Sequence, residues 1–221
     1  MSQYSLPLHL SPHYSEDNFF VSGCNRDAYE WVIRWPGWPA HALFIHGPRG
    51  SGKTHLAQLW AARSQARLLA AVQLAEIAPD AMAGHWAIED VEQLNDEARL
   101  LHLFNVTRES ACGLLLTADA PPSRLALALP DLTSRLLSLP LVAIEQPDDA
   151  VLAASMRKQF ADRQMKVDEE VIAWLLPRME RSLAEAKRLV ETIDSAALAG
   201  RRNVTVPFVR QLLGEGDRGN S

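Results

Sequence analysis

The sequence predicts an α/β P-loop domain, a five-stranded parallel sheet with flanking helices, followed by a small all-α unit. Three observations carry this. The stretch Gly47-Pro48-Arg49-Gly50-Ser51-Gly52-Lys53-Thr54 reads G-x-x-x-x-G-K-T, the Walker A pattern, between an apolar run and a run of helical spacing. Short apolar runs of strand type alternate with helical stretches up to residue 146, which implies parallel strands joined by right-handed crossovers. From Pro147 onward the chain reads as amphipathic helices, with no strand-like run before the short Val204-Thr205-Val206.

In chain order, Met1 to Pro12 reads as a tail. Within it, Gln3-Tyr4-Ser5-Leu6-Pro7-Leu8 is held extended by Pro7 and presents Leu6 and Leu8. Taken alone, this is an unstructured terminus with a few apolar residues. Asn25 to Val32 has helical spacing with Ala28, Trp31 and Val32 on one face, and Trp35-Pro36-Gly37-Trp38-Pro39 breaks it. Trp31, Trp35 and Trp38 read as packing residues rather than a base-stacking platform. Ala42 to His46 is the strand before the glycine loop, and His55 to Ala62 the helix after it.

Further strands are expected at 67–72, 86–90, 113–117 and 141–144. A helix is expected from Asn95 to Ser110, with Ala98, Leu101 and Phe104 or Asn105 on its apolar stripe. The helical unit follows with segments at 148–164, 167–176, 181–198 and 207–213; Ser182 and Glu185 are spaced as a capping box. The residues after 213 are polar and glycine-rich. The expected divisions are a tail at 1–14, a nucleotide-binding base at 15–146 and a helical unit at 147–221.

The bulk composition narrows the partners. The chain has 221 residues, 48% of them hydrophobic, and a net charge of −5. That is enough apolar content for a core, and it lacks the basic excess of a duplex-DNA-binding domain. The two cysteines, Cys24 and Cys112, form no C-x-x-C pattern, and the seven histidines no metal-ligand cluster. No segment has membrane-spanning length or signal-peptide character. The expectation is a soluble cytoplasmic protein with reduced thiols, no membrane contact and no direct strong DNA binding.

The chemistry gathers around the loop. In a Walker A loop the backbone N–H groups cradle phosphate oxygens at a helix N-terminus, the lysine reaches the terminal phosphates and the Ser/Thr holds Mg²⁺. Gly47 to Thr54, with the adjacent His55, are therefore the candidate nucleotide-binding residues. Glu89 and Asp90 follow Trp86-Ala87-Ile88. Alone they read as a solvated strand end; beside a P-loop they read as a Walker B pair that orders Mg²⁺ and the attacking water. Thr117 and Asp119 end the fourth strand, where ligands of α/β sheets collect, although strand-end capping explains them equally well. Arg135 and Arg181 are the remaining arginines with a possible reach to phosphate.

These motifs, in this order, resemble the AAA+ family and, within it, the DnaA/Hda group. Ser15 to Val21 with Asn25-Arg26 looks like the segment that opens the DnaA AAA+ domain, which implies that Phe20 and Val21 pack near the adenine. Leu115 to Pro122 is similar to the sensor I stretch, with Thr117 and Asp119 its polar residues. Leu132-Thr133-Ser134-Arg135-Leu136 resembles Box VII, making Arg135 an arginine finger offered in trans to nucleotide on a neighbouring subunit. Arg181 to Ala186 looks like the start of the sensor II helix, making Arg181 the sensor arginine and residues 147–221 an AAA+ lid. The Gln3 to Leu8 hexapeptide resembles a β sliding clamp-binding motif, through Gln3, Ser5, Leu6, Pro7 and Leu8.

The resemblance implies a nucleotide-binding regulator of replication initiation. Bound to ADP (or ATP) with Mg²⁺, and tethered to the DNA-loaded clamp, it would stimulate ATP hydrolysis by the DnaA AAA+ domain and so inactivate DnaA. DNA is then met only through the clamp, and a nucleotide-dependent homo-oligomer is possible. DnaA usually has two aspartates in Walker B. Glu89 stands first here, and its extra methylene changes the reach to Mg²⁺-bound water, which implies weak intrinsic ATPase. The alternatives are a stand-alone P-loop ATPase and a DnaC-like helicase loader.

Overall fold

A computed structural model describes residues 19–200 and 202–214. The hexapeptide Gln3 to Leu8 and its clamp-binding reading lie outside the described residues. The elements run α1 (Arg26–Ile33), β1 (Ala42–His46), α2 (Lys53–Ser64), β2 (Arg67–Ala70), β3 (Trp86–Glu89), α3 (Glu97–Glu109), β4 (Leu114–Ala118), α4 (Pro130–Leu137), β5 (Leu141–Ala143), α5 (Asp149–Asp162), α6 (Glu169–Leu175), α7 (Leu183–Gly200) and α8 (Val206–Leu212). Single 3₁₀ turns fill several connections.

The five strands form one sheet in the order β2-β3-β4-β1-β5, with every pairing parallel. Parallel strands covered on both faces read as continuous apolar runs. That is why Ala42-Leu43-Phe44-Ile45 and Leu114-Leu115-Leu116 are wholly buried. Alternation divides their side chains. Phe44, Ile88 and Leu116 join Leu100, Leu103, Phe104 and Leu132 on the α3/α4 face. Leu43, Ile45, Ala87 and Leu115 join Val32, Leu56 and Trp60 on the α1/α2 face. The chain order reverses around β1, so the turn after β1 lies at the topological switch point of the sheet.

The tryptophans pack at the opposite end of the strands. Trp35 meets Trp38 edge-on at 4.7 Å, and Trp38 stacks on Trp60 at 5.4 Å. Trp38 Nε1–H donates to the Trp31 carbonyl at 2.7 Å. Gly113 admits this cluster: a Cβ there would lie 2.5 Å from a Trp35 ring carbon. A separate core built from α5 to α8, including Met156, Phe160, Leu189, Val190, Ile193 and Phe208, holds the helical unit together.

Four expectations need correction. The buried stripe of α3 is Leu100, Leu103, Phe104 and Thr107, while Ala98 is exposed. Thr107 hid this stripe because it is polar; its hydroxyl is satisfied by the Leu103 and Phe104 carbonyls at 2.9 and 3.1 Å. β2 stops at Ala70, where the chain tightens into a 3₁₀ turn instead of continuing to residue 72. Val204-Thr205-Val206 forms no strand; Thr205 caps α8, accepting from Phe208 N–H. Finally, Pro130–Leu137 is a helix, which the sequence reading left unassigned. The two residues just before it are anchored by Glu97, whose carboxylate accepts from Ala128 and Leu129 N–H at 2.8 and 2.7 Å.

Candidate nucleotide-binding site

The glycine loop joins β1 to α2 at the switch point. Lys53, the first residue of α2, turns back into the loop, and its side chain is only 7% exposed. Its ammonium donates to the Gly47 and Pro48 carbonyls at 2.6 and 3.1 Å and to Asp119 Oδ1 at 2.8 Å. Three acceptors for three N–H donors make this buried charge affordable. Arg49 takes the other oxygen of the same carboxylate, Nε to Oδ2 at 2.8 Å. Burial alone would raise the Asp119 carboxyl, but hydrogen bonds from Lys53 and Arg49 outweigh it and hold the group below its ordinary range.

The acids of β3 are placed by the strand period. Glu89 points to the same face as Ala87 and α2, where its carboxylate is hydrogen-bonded by Thr54. Burial pushes the Glu89 carboxyl up; the Thr54 bond opposes this, and the neighbouring Asp90 charge adds to it. Asp90 itself adopts a left-handed conformation, φ 56°, which turns the chain into a 3₁₀ turn. Few residues other than glycine, asparagine and aspartate tolerate that region. The same turn is tied to β4, since Asp119 N–H donates to Glu92 Oε2 at 3.2 Å.

Among the described residues, two buried hydroxyls have no protein partner: Ser51 Oγ in the loop and Thr117 Oγ1 on β4. Thr117 pairs in register with Ile45, on the α2 face. Buried polar groups are normally satisfied. Orphaned hydroxyls beside a caged lysine, with the N-terminus of α2 beside them, fit an anionic, oxygen-rich ligand such as a nucleotide polyphosphate. Thr54 and Glu89 supply the hard oxygen donors that Mg²⁺ takes.

The lid closes over this loop. Leu183 N–H, at the start of α7, donates to the Gly50 carbonyl at 2.9 Å. Gly50 has φ +72°, and a Cβ there would lie 2.6 Å from Ser182 Cβ. Ser182 caps α7 by accepting from Glu185 N–H at 3.0 Å, while the Glu185 carboxylate turns to Arg188, so half of the expected capping box forms. A cavity of about 580 Å³ remains between base and lid, lined by Lys53, Thr54, Asp90 and Asp119 below and by Gln159 and Lys187 above. A smaller one, about 310 Å³, lies beside β5 and α1 and holds none of the loop residues.

The structure brings together Arg49, Gly50, Gly52, Lys53, Thr54, His55, Asp90 and Asp119 around the larger cavity; Glu89 joins them through its bond with Thr54, and Thr117 lies on β4 outside the lining. Other candidates lie apart from it. Phe20 is half-buried and Val21 exposed; it is Phe19 that packs, edge-on to His55 at 5.0 Å and stacked on Tyr29 at 5.5 Å. Arg181 is drawn aside by Asp149 of α5, Nη2 to Oδ1 at 2.9 Å. Arg135 lies on α4, in a two-bond pair with Asp131 at 3.0 and 3.2 Å and over the Phe104 ring. Gln93, Gln159 and Lys187 were not anticipated; isolated polar residues on helices carry no local pattern, and only the closure of the lid shows where they point.

Comparisons with known proteins agree with this architecture. Residues 148–213 match the family model described as Hda, lid domain. An uncharacterised protein of Haemophilus influenzae is 27% identical over 189 residues, spanning 77% of this chain and 80% of that protein. Domain III of the Thermotoga maritima replication initiation protein DnaA superposes with a TM-score of 0.80 at 22% identity, covering 94% of this chain and 98% of that one. AMPPCP-bound DnaA from Aquifex aeolicus superposes with a TM-score of 0.74 at 23% identity, covering 87% and 68%. The lid thus matches the Hda lid family, and the chain as a whole has the fold of DnaA domain III.

Proposed function

We propose that this chain is an adenine-nucleotide-dependent regulator that, with ADP and Mg²⁺ held at the P-loop and its tail on the β sliding clamp, stimulates ATP hydrolysis by DnaA. The observation that carries the reading is the joining of an Hda-type lid to a complete phosphate loop through the Leu183–Gly50 hydrogen bond. Loop N–H groups and Lys53 would hold the phosphates, and Thr54 and Glu89 the metal. Bound nucleotide supplies negative charge that draws on Lys53 and Arg49, now held by Asp119. The contact between loop and lid then links occupancy to lid position.

The trans role falls to Arg135. It is outside the chain's own cavity, on a helix whose lead-in Glu97 fixes to α3, and its guanidinium is held by Asp131. A finger arginine stabilises charge developing on the γ-phosphoryl oxygens of a neighbouring site, and in GTPases that is worth roughly 10³–10⁵ in rate. On this reading the hydrolysis that matters takes place in DnaA, and the domain divisions at 14/15 and 146/147 separate tether, base and lid. Cytoplasmic location follows from such partners.

The test is a clamp pull-down followed by a DnaA-ATP hydrolysis assay. The variant carrying Gln3→Ala and Leu6→Ala is expected to lose the clamp, and Arg135→Ala to keep it while no longer stimulating DnaA. Clamp retention by the tail variant would sink the tether. The half-buried Glu89 beside Thr54 favours one second reading, an ATPase in its own right. Robust turnover by the chain alone, abolished by Asp90→Ala, would support that reading instead.

A further inference from the structure

β5 is an edge strand, and its free side faces a groove. The register shows which of its backbone groups are already used. Phe44 N–H donates to the Pro140 carbonyl at 3.0 Å and Ile144 N–H to the His46 carbonyl at 2.7 Å, with Val142 opposite Ile45 between them. The groups of residues 140, 142 and 144 therefore turn towards β1, and those of Leu141, Ala143 and Glu145 turn outwards. Glu145 N–H donates to the Cys24 carbonyl at 2.9 Å, so the segment leading into α1 closes one end of the edge. Among the described residues nothing pairs with the outward N–H and C=O groups of Leu141 and Ala143. Such an edge is a template for an added strand. The groove beside it holds about 310 Å³. All three residues of β5 line it, together with Asp27, Glu30, Trp31 and Arg34, the i, i+3, i+4 and i+7 positions of one face of α1. With Glu145 the lining carries three acids against Arg34 alone, whose guanidinium lies over the Trp31 ring at 5.0 Å. The three acids are exposed, and none is ion-paired among the described residues. Leu141, in register with Phe44 on the α3/α4 face, is 48% exposed.

We propose that β5 accepts a short extended segment of a partner protein as a sixth strand, with lysine or arginine on the side towards α1 and an apolar residue beside Leu141. The backbone groups of Leu141 and Ala143 hold the segment, and the acids of the groove select its charge. Alternation along the added strand puts its basic and apolar side chains on opposite faces. A second copy pairing through the same edge would set its own Asp27, Glu30 and Glu145 against these, and like charges across a strand pair are destabilising. Three residues of strand span about 10 Å, so the contact is small and reversible. The site is separate from the P-loop, none of whose residues lines the groove.

The test titrates the whole chain with a fluorescent peptide of alternating lysine and valine, read by anisotropy at low salt and by amide exchange. The peptide should bind and should slow exchange at Leu141 and Ala143, while Val142, already in the ladder, changes little. Methylating the peptide's amide nitrogens on the pairing side should weaken it about tenfold, the order of two backbone hydrogen bonds. The double variant Asp27→Asn, Glu30→Gln should weaken it about fivefold, as two exposed ion pairs supply. Ala143→Pro removes an outward donor from an edge strand and leaves the bonds to β1 in place; it should weaken the peptide and leave melting nearly unchanged. A peptide of alternating glutamate and valine should not bind. Equal binding of the methylated peptide, or no slowing at Leu141 and Ala143, would overturn strand addition. A dimer in sedimentation, with those two amides protected before peptide is added, would give the edge to a second copy and overturn the basic partner.

Discussion

The base and the lid contribute opposite kinds of group to one cavity. Base groups are caged before any ligand arrives: Lys53 has three acceptors, Asp119 two cations and a backbone tie to Glu92, and Glu89 a bond from Thr54. Lid cations are more exposed: the side chains of Arg181 and Lys187 are 45% and 60% accessible, the first paired with Asp149 at 2.9 Å and the second only loosely with Glu191 at 3.9 Å. Preorganised charge binds without reordering, whereas a flexible side chain must be immobilised first. On the proposed reading the base would hold the phosphates, and the lid would respond through its contact at Gly50.

The largest effect should come from breaking the caged half. Lys53→Ala removes a buried ammonium with several charge-assisted bonds, each worth about 1.5–3 kcal/mol. ADP affinity measured by calorimetry should fall by about 100-fold or more. A loss below tenfold would mean that the loop N–H groups dominate and that the contrast between base and lid is overstated.

Next comes the joint between the two halves. Gly50→Ala places a Cβ against Ser182 at a backbone φ of +72°. Left-handed strain and overpacking each cost about 1–3 kcal/mol. Relief comes most readily from the lid, since Gly50 touches it through Leu183 N–H. Hydrogen exchange at the start of α7 should speed up while α2 and β1 stay protected. Equal loosening of both would show that lid and base unfold as one unit.

Acidification separates two carboxylates within the base. Asp119 is depressed in the folded protein, so its contribution is present above its unfolded value of about 3.9 and is lost as pH falls through the lower folded value. Glu89 is raised by burial, so the folded state gains from its protonation as pH drops through that higher value towards the unfolded one. Urea unfolding between pH 7 and 3 should therefore show Asp119→Asn flattening the fall at the acid end. Glu89→Gln should remove a small rise in stability at milder pH. An unchanged profile in Asp119→Asn would mean that the pairs with Arg49 and Lys53 are screened out.

The sequence made the base legible and the lid only partly so, for a physical reason. Walker A spans eight contiguous positions, Gly47 to Thr54, and strands buried on both faces announce themselves as apolar runs such as Leu114-Leu115-Leu116. Four helices in the lid were visible from their apolar spacing. Which face of α7 meets the loop was not, because it depends on one backbone bond from Leu183 to Gly50. The α3 stripe was misread for a related reason: Thr107 is buried by satisfying its hydroxyl within its own helix. Helix α4 escaped because Pro130-Asp131 opens it and Glu97, distant in sequence, anchors the segment that leads into it.

The smallest effect on this chain itself belongs to Arg135. Its pair with Asp131 is an i,i+4 bridge on a helix, worth roughly 0.3–0.5 kcal/mol. Arg135→Ala should therefore lower Tm by only about 1–2 °C, and should leave ADP affinity unchanged. Asp131→Ala is the sharper variant, because it frees the guanidinium without removing it. If Arg135 serves a neighbouring site, Asp131→Ala should keep or raise DnaA-ATP hydrolysis while Arg135→Ala abolishes the stimulation. If Arg135 only pins α4 against Phe104, both variants should weaken stimulation in proportion to their loss of stability. A drop in the chain's own ADP affinity in Arg135→Ala would bring α4 into the local site, and the division of labour between this chain and its partner would fail.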